Sequence, residues 1–504
     1  MDKKSALLIL SMGGILTGIS LLFLQFYLAW FCFVPLFYIL EKANTKQSFF
    51  FGLTFGIITS SILFYWVFQV TARYSGGFTI YSLILYIAAI IYFSLYFALL
   101  GIGYMYLVSR SGNLVLAGLS IAAFYTLLEY IKMHLYQGMP WFRVNLAVAQ
   151  AQSKWAIQWA SLGGFYIVIF FIVCINYLLT QFLYKKDVFL FKAAIVVLVI
   201  FWGCGFLLSV TNNKIAENKF NTVLLNENIS AETRWNNSTG DSLVNIFFRL
   251  NKQAVKYNPD LIIWSEAAIP WKFEPDDEFI PEVLKITHRS KADHLLGIFS
   301  PSSENDKYVY NAAYLIKNDG RITGRYDKSI LLDFLEKPFN SALLSMLPFA
   351  NTGRYDKILP GRSKHLISTG RARIGVLICN ESVFEEKYIT YIKEGANLLV
   401  LMSNDSWFEN TPLRMLHFYY TRIEAVMMGR DVVVNSNRGV TGIIRAGGDI
   451  RVFPCSSKAR IVNCEAHLLS GRTVYSRIKD FTIPFYLLII IFSNIKRKHQ
   501  NENS

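Results

Sequence analysis

The feature that most constrains this chain is a series of long apolar runs that stops near Val210. The runs fall near residues 6 to 24, 26 to 40, 48 to 70, 78 to 108, 114 to 131, 164 to 183 and 188 to 210, and a shorter one covers 481 to 495. A helix needs about 20 apolar residues to cross roughly 30 Å of hydrocarbon, so the pattern predicts an α-helical membrane bundle of about eight spans. Residues 211 to 480 instead carry nearly all the Asp and Glu together with ordinary loops. Two solvents imply two parts, in line with a hydrophobic content of 53% that is too high for one soluble domain. The expected division is 1–210 as a bundle of about seven spans, 211–480 as a water-facing domain, and 481–504 as a last span with a basic tail. Residues 1 to 24 begin as a signal peptide does, with Lys3 and Lys4 ahead of an apolar stretch, but no small-residue cleavage site follows. A retained first span is expected.

The net charge of +15 does not point to nucleic acid, because no basic stripe is interleaved with aromatics. Many of the cations flank the apolar runs: Lys3 and Lys4, Lys42 and Lys46, Arg110, Lys185 and Lys186, then Lys496, Arg497 and Lys498. Counting about eight spans puts all of these on one face, which the positive-inside bias makes cytoplasmic. Residues 211–480 and the loop from about 132 to 163 then lie on the extracytoplasmic side. Glu129, at the outer end of the fifth run, is either a functional carboxylate at membrane depth or the partner of Lys132 three residues on.

Six cysteines and seven histidines are dispersed, with no paired Cys-x-x-Cys or His-x-x-x-His, and no Walker lysine loop occurs. No metal or cofactor is therefore expected. Cys455 and Cys464 both fall in the oxidising compartment under this topology, and whether they pair is left open by the sequence.

From 211 onward, short β-branched runs alternate with helical periods, the signature of an α/β domain. Several of these strands are apolar throughout, as where both faces of a sheet are covered. LIIW leads to Ser265 and Glu266, VLI leads to Cys379, LVLMS leads to Asn404 and Asp405, and Lys328 follows GRYD. Reactive groups in such sheets gather at strand ends. These types combine into a mechanism. A thiol near pKa 8.5 needs a base or a cation to act as a nucleophile at neutral pH, and Glu266 and Lys328 supply one of each. The lysine would also stabilise an oxyanion formed when Cys379 attacks a carbonyl. Taken singly, the same residues also fit a buried core thiol, a solvated carboxylate and a surface lysine.

WSE, YDK and ICNES, in that order and separated by whole strand–helix units, resemble the Glu/Lys/Cys motifs of the nitrilase superfamily. Together with the membrane arrangement they resemble the apolipoprotein N-acyltransferase family, from the first span to TVYSRIKDF. LLEYIKMHLYQGMPW is similar to that family's Glu-bearing span and Gly-Phe-Pro-Trp loop, with Met139 in place of Phe; SNDSWF and GRDVVVNSNRGVTGII also fit. The resemblance implies an αββα nitrilase-like sandwich beside the membrane bundle. It further implies Glu266 as base, Lys328 as oxyanion and thiolate stabiliser, Cys379 as the acyl-accepting nucleophile and Glu336 as a supporting glutamate. Trp235 would lie near an acyl-chain entrance, and Glu381 matches the acid two residues after the nucleophile; core aromatic and solvated acid are the plainer readings of these two. The implied reaction moves a fatty acyl chain from a phospholipid, through a Cys379 thioester, to the α-amino group of a diacylglyceryl-cysteine on an apolipoprotein, at the bacterial inner membrane with the catalytic domain on the periplasmic side. DFLE stands where the family reads Pro-Phe-Gly-Glu, and Asn380 replaces its tyrosine, changes that bear on lid and lipid preference. Loops at 267 to 280 and 330 to 355 are expected to rest on lipid as mobile lids. The alternatives are a membrane-tethered amidase, an acyltransferase with another acceptor, and a transporter or receptor with a degenerate catalytic set.

Overall fold

A computed structural model describes residues 2–74, 79–108, 113–135, 139–212, 218–233, 239–274, 277–305, 307–333, 336–337, 357–362, 365–453 and 456–502. The chain divides into two compact units, one built from 1–136, 141–211 and 473–504 and the other from 137–140 and 212–472.

The first unit is helical. Its elements are α1 (Lys3–Leu22), α2 (Val34–Leu40), α3 (Thr45–Leu63), α4 (Tyr65–Tyr74), α5 (Thr79–Leu107), α6 (Leu114–Leu135), α7 (Leu146–Ala149), α8 (Ala160–Lys185) and α9 (Val188–Asn212). Among the described residues five helices are long and apolar enough to cross a membrane, or six if α3 and α4, bent by 43° at their junction, form one span. Two of the runs expected to span are shorter than that. The run 26–40 breaks into a 3-10 turn at Leu28–Trp30 and the seven-residue α2, whose second residue is Pro35. At about 1.5 Å per residue its 13 residues reach about 20 Å, short of the hydrocarbon core. This segment lies inside the bundle, with Phe33, Leu36, Phe37 and Leu40 fully buried. Asn176 of α8 satisfies the backbone freed by the break, accepting from Phe33 N at 2.8 Å and donating to Ala29 O at 2.9 Å. The final apolar stretch, Thr482–Ser493, is also short.

Close contacts give the helix directions. Cβ atoms placed on Gly14 and Gly18 of α1 would meet Ile58 and Ile62 of α3, so these two helices run parallel and the segment between them carries the chain back. α3 and α5 run antiparallel at backbone contact: a Cβ on Gly52 would come within 2.3 Å of Phe97 O, and one on Gly101 within 2.2 Å of Ser48 O. Without a hydrophobic force between helices in lipid, such close approach of small residues is what holds them. Lys42 sits over the ring of Tyr184 at 5.6 Å, near the end of α8, and α8 and α9 pair antiparallel through Phe171–Phe201 and Phe182–Phe191. Lys3 and Lys4, Lys42 and Lys46, and Lys185 and Lys186 therefore share one end of the bundle. Arg110 lies outside the described residues.

Glu129 is paired. Its carboxylate meets Lys132 Nζ at 2.7 Å and accepts from Tyr96 OH at 2.7 Å, both charged residues being buried, while Lys132 also donates to Val144 O at 2.9 Å.

The second unit is α/β. Strands β1 (Lys219–Asn226), β2 (Leu261–Ile263), β3 (Ile269–Lys272), β4 (Asp293–Pro301), β5 (Tyr308–Ile316), β6 (Ile322–Asp327) and β7 (Lys357–Ile358) precede β8 (Ile367–Ser368), β9 (Arg373–Ile378), β10 (Leu398–Asn404), β11 (Val432–Asn437), β12 (Thr441–Ile444), β13 (Ile450–Phe453) and β14 (Arg460–His467). One sheet runs β14-β1-β2-β4-β5-β6, with β3 and β7 at its margin, and the other runs β13-β12-β11-β10-β9-β8. Within them β1, β2 and β4 are parallel, as are β9, β10 and β11. Alternate side chains decide the layers. Leu224, Ile263 and Leu295 of the first sheet share a core with Val376, Ile378, Val400 and Met402 of the second. Their neighbours Val223, Ile262 and Leu296 face α10 (Gly240–Ala254) and α11 (Phe279–Thr287) instead. α10 covers that face because Leu243, Phe247, Leu250 and Ala254 recur on one side of it. α12 (Glu385–Lys393) and α13 (Leu413–Met428) pack on the second sheet, Tyr391 OH donating to Val376 O at 2.6 Å. The result is an αββα sandwich.

The chain then returns to the first unit through α14 (Val474–Ile478) and α15 (Thr482–Glu502). Tyr486 stacks on Phe170, and Thr482 lies against Gly163, so α15 runs parallel to α8 and carries residues 496 to 498 toward the basic end.

Candidate active site

The reactive residues stand at or just past the ends of strands in the sandwich. Glu266 follows β2, Lys328 follows β6, Cys379 follows β9, and Asn404 and Asp405 end β10. Cys379 opens a short 3-10 turn in the left-handed conformation, φ 52°, which a residue with a side chain rarely adopts. The abrupt turn lifts the sulfur out of the strand, and the residue remains 6% exposed.

Lys328, 1% exposed, stands between two carboxylates: Nζ lies 3.2 Å from Glu266 Oε1 and 2.8 Å from Glu336 Oε1. Its main chain is clamped as well, N donating to Asn311 O at 2.8 Å and O accepting from Gly361 N at 2.7 Å. Asn311 Nδ2 donates to Glu266 Oε1 at 2.8 Å, and Asn404 N donates to Glu266 Oε2 at 3.0 Å. Glu336 Oε2 accepts from Leu332 N at 2.8 Å, so that carboxylate is aimed by its own loop.

The electrostatics follow from burial and charge. Burial would depress Lys328, but Glu266 and Glu336 outweigh it and hold the ammonium above its usual range. Burial raises Glu266, opposed by Lys328 and reinforced by Glu336. Burial and then the Glu266 charge raise Cys379, with Lys328 pulling the other way, so the thiol rests protonated beside a carboxylate able to take its proton. The arrangement is suited to attack by sulfur on a carbonyl carbon with Glu266 moving the proton and Lys328 facing the developing oxyanion.

Glu381 is not a solvated acid. Fully buried, it accepts from Tyr326 OH at 2.7 Å, Ser329 N at 2.8 Å, Ile378 N at 3.0 Å and Ile330 N at 3.2 Å, and meets Lys387 Nζ at 3.0 Å. Burial would raise its pKa, but Lys387 and these donors hold it low. It braces the Cys379 turn against the segment that follows Lys328. Asn380 joins the same brace, Nδ2 donating to Ile330 O at 3.0 Å.

Trp235 and most of 330–355 lie outside the described residues. The 267–280 segment is not a free lid: β3 pairs with β4, Phe273 stacks on Tyr314, and Trp271 Nε1 donates to Asp277 Oδ2 at 2.5 Å. Cys464 is buried on β14, while Cys455 is outside the described residues. The sequence reading missed Asn311 and His417. Asn311 had a signal, a lone amide inside the apolar run VYNAAYLI; His417 had none, since it meets the Cys379 turn only through the fold.

Residues 13–178 match the family Apolipoprotein N-acyltransferase N-terminal domain, and residues 221–453 match Carbon-nitrogen hydrolase. The chain is similar to the Apolipoprotein N-acyltransferase of Geobacter metallireducens, with 28% identity over 90% of this chain and 87% of the relative. It is also similar to proteins of that name from Thermotoga maritima, 26% identical over 97% and 94%, and Borreliella burgdorferi, 24% identical over 93% and 90%.

Proposed function

Since the chain belongs to the apolipoprotein N-acyltransferase family of membrane-bound carbon–nitrogen hydrolases, we propose that it acylates lipoproteins in two steps through a thioester on Cys379. It is a multi-pass membrane enzyme acting in lipoprotein N-acylation. In the first step Sγ of Cys379 attacks an ester carbonyl of a phospholipid while the thiol proton moves to Glu266. The oxyanion faces Lys328. The acyl C–O bond breaks, Glu266 returns the proton to the departing glycerol oxygen, and a lysophospholipid leaves. In the second step the α-amino nitrogen of a diacylglyceryl-cysteine attacks the thioester and gives a proton to Glu266. The C–S bond then breaks and the proton passes to sulfur. Glu336 and Glu381 hold Lys328 and the Cys379 turn, and the family resemblance assigns Trp235 a role in admitting the acyl chain. No cofactor enters this scheme.

The observation that carries the reading is the buried Lys328 ammonium held at 3.2 and 2.8 Å between the carboxylates of Glu266 and Glu336, on the strand-end rim that also bears Cys379. Membrane-embedded donor and acceptor also suit an enzyme with several apolar helices. Taking the basic clusters as cytoplasmic, we propose that the enzyme sits in the inner membrane and acts on its periplasmic side. The test is a mass measurement of intact protein incubated with phospholipid alone. An acyl adduct on Cys379, labile to hydroxylamine and discharged by a lipopeptide amine with stoichiometric lysophospholipid release, is expected. An adduct that persists in Cys379→Ala would sink the mechanism.

A further inference from the structure

The left-handed turn at Cys379 is held by a residue outside the Glu/Lys/Cys set. His417, on the second turn of α13, brings Nε2 to 2.8 Å from the main-chain carbonyl oxygen of Cys379. Its other nitrogen faces Asp405 Oδ1 at 3.4 Å. Asp405 is fixed in turn, accepting from Ser403 Oγ at 3.1 Å and from Ser436 Oγ at 2.8 Å. One chain of contacts therefore ties the ends of β9, β10 and β11 to α13. A Cβ on Gly439 would come within 2.2 Å of Asp405 Oδ2 and 2.1 Å of Ser436 Oγ, so the backbone beside this chain is packed to contact.

Both ring nitrogens of His417 meet acceptors, a carbonyl and a carboxylate, so the arrangement favours a ring that donates from both sides. A peptide unit is planar and moves as one body. Holding the Cys379 carbonyl fixes the orientation of the whole Cys379–Asn380 peptide, and with it the torsion that aims the sulfur. Glu381 and Asn380 brace the other side of the same turn, toward the Lys328 segment.

We propose that His417 is a positioning residue for acyl transfer: by holding the Cys379 carbonyl it maintains the left-handed turn that presents the sulfur to the substrate carbonyl. The inference rests on the reading of Cys379 as nucleophile. It predicts an effect on the chemical step and not on lipid binding, because the imidazole acts through the main chain of the nucleophile.

The test compares wild type, His417→Ala, His417→Phe and His417→Gln in detergent micelles with a phospholipid donor and a lipopeptide acceptor. Two readouts are taken: kcat and KM, and the rate of iodoacetamide alkylation at Cys379 followed by peptide mass. Ala and Phe, which lack the donor, should lower kcat by about tenfold to a hundredfold, the range of one charge-assisted hydrogen bond, with KM little changed and alkylation of Cys379 altered. Gln, whose amide reaches the same carbonyl, should restore most of the loss. Phe keeps the volume of the ring and serves if Ala fails to fold. Wild-type kcat in Ala or Phe, or a Gln variant no better than Phe at equal Tm, overturns the proposal. If wild type transfers no acyl group, the function assigned above fails, and the alkylation rates alone then decide the role of His417.

Discussion

At Cys379 two demands conflict: the sulfur must reach substrate, yet burial raises the thiol and keeps it protonated. Glu266 and Lys328 resolve the conflict as a unit, so single deletions should each be severe and should not add. Cys379→Ala is expected to abolish lysophospholipid release, and Glu266→Gln and Lys328→Ala to lower kcat by about a thousandfold; steady turnover by Cys379→Ala would refute this. Because burial raises Glu266, the acid limb of kcat/KM should lie above the usual carboxylate range and vanish in the Gln variant, a matter for pH–rate profiles. Another buried carboxylate tests stability. Glu227, 2% exposed, accepts from Ser265 Oγ, and burial pushes it up to about 7. A carboxyl raised in the folded state stabilises below its unfolded pKa and loses that contribution as pH rises to the folded value. Glu227→Gln should therefore raise Tm at pH 8 by an amount that shrinks toward pH 4, worth at most about 3 kcal/mol; an equal change at both pH values would contradict the assignment.

At the scale of elements, α6 carries a charge pair within the bundle for a local reason. Lys132 joins Glu129 and also holds the Val144 carbonyl of the following loop. Removing one partner of a buried pair leaves the other uncompensated, at about 3 to 5 kcal/mol. Glu129→Leu should lower Tm in detergent by several degrees, and Glu129→Leu with Lys132→Met should recover much of it. Independent, additive losses would show that the pair is not coupled. In α3 and α5, Gly101→Val has no room beside Ser48 O, and the strain of overpacking, about 1 to 3 kcal/mol, should appear as a lower Tm with Cys379 chemistry intact in the protein that remains folded.

At the scale of the whole molecule, the topology is open to a direct experiment. A reporter inserted near Ser302 should behave as extracytoplasmic and one fused after Ser504 as cytoplasmic. The same side for both would mean that α15 does not return the chain as its packing beside α8 implies.

Local pattern alone determined much of this protein. Apolar length announced a membrane bundle, unbroken β-branched strands announced sheets covered on both faces, and WSE, YDK and ICNES marked the strand ends where Glu266, Lys328 and Cys379 stand. Each of these depends only on residues near in sequence. Tertiary structure decided the rest. Apolar length could not tell a spanning helix from Leu28–Leu40, because a broken helix buried in the bundle and satisfied by Asn176 is as apolar as a span. Glu381 resembled a solvated acid until the Lys328 segment closed over it, Asn311 stood out only as an amide in an apolar strand, and His417 carried no mark at all. Their hydrogen bonds join residues far apart in the chain, and such partners acquire their distances only when two sheets pack face to face and bring their strand ends to one rim.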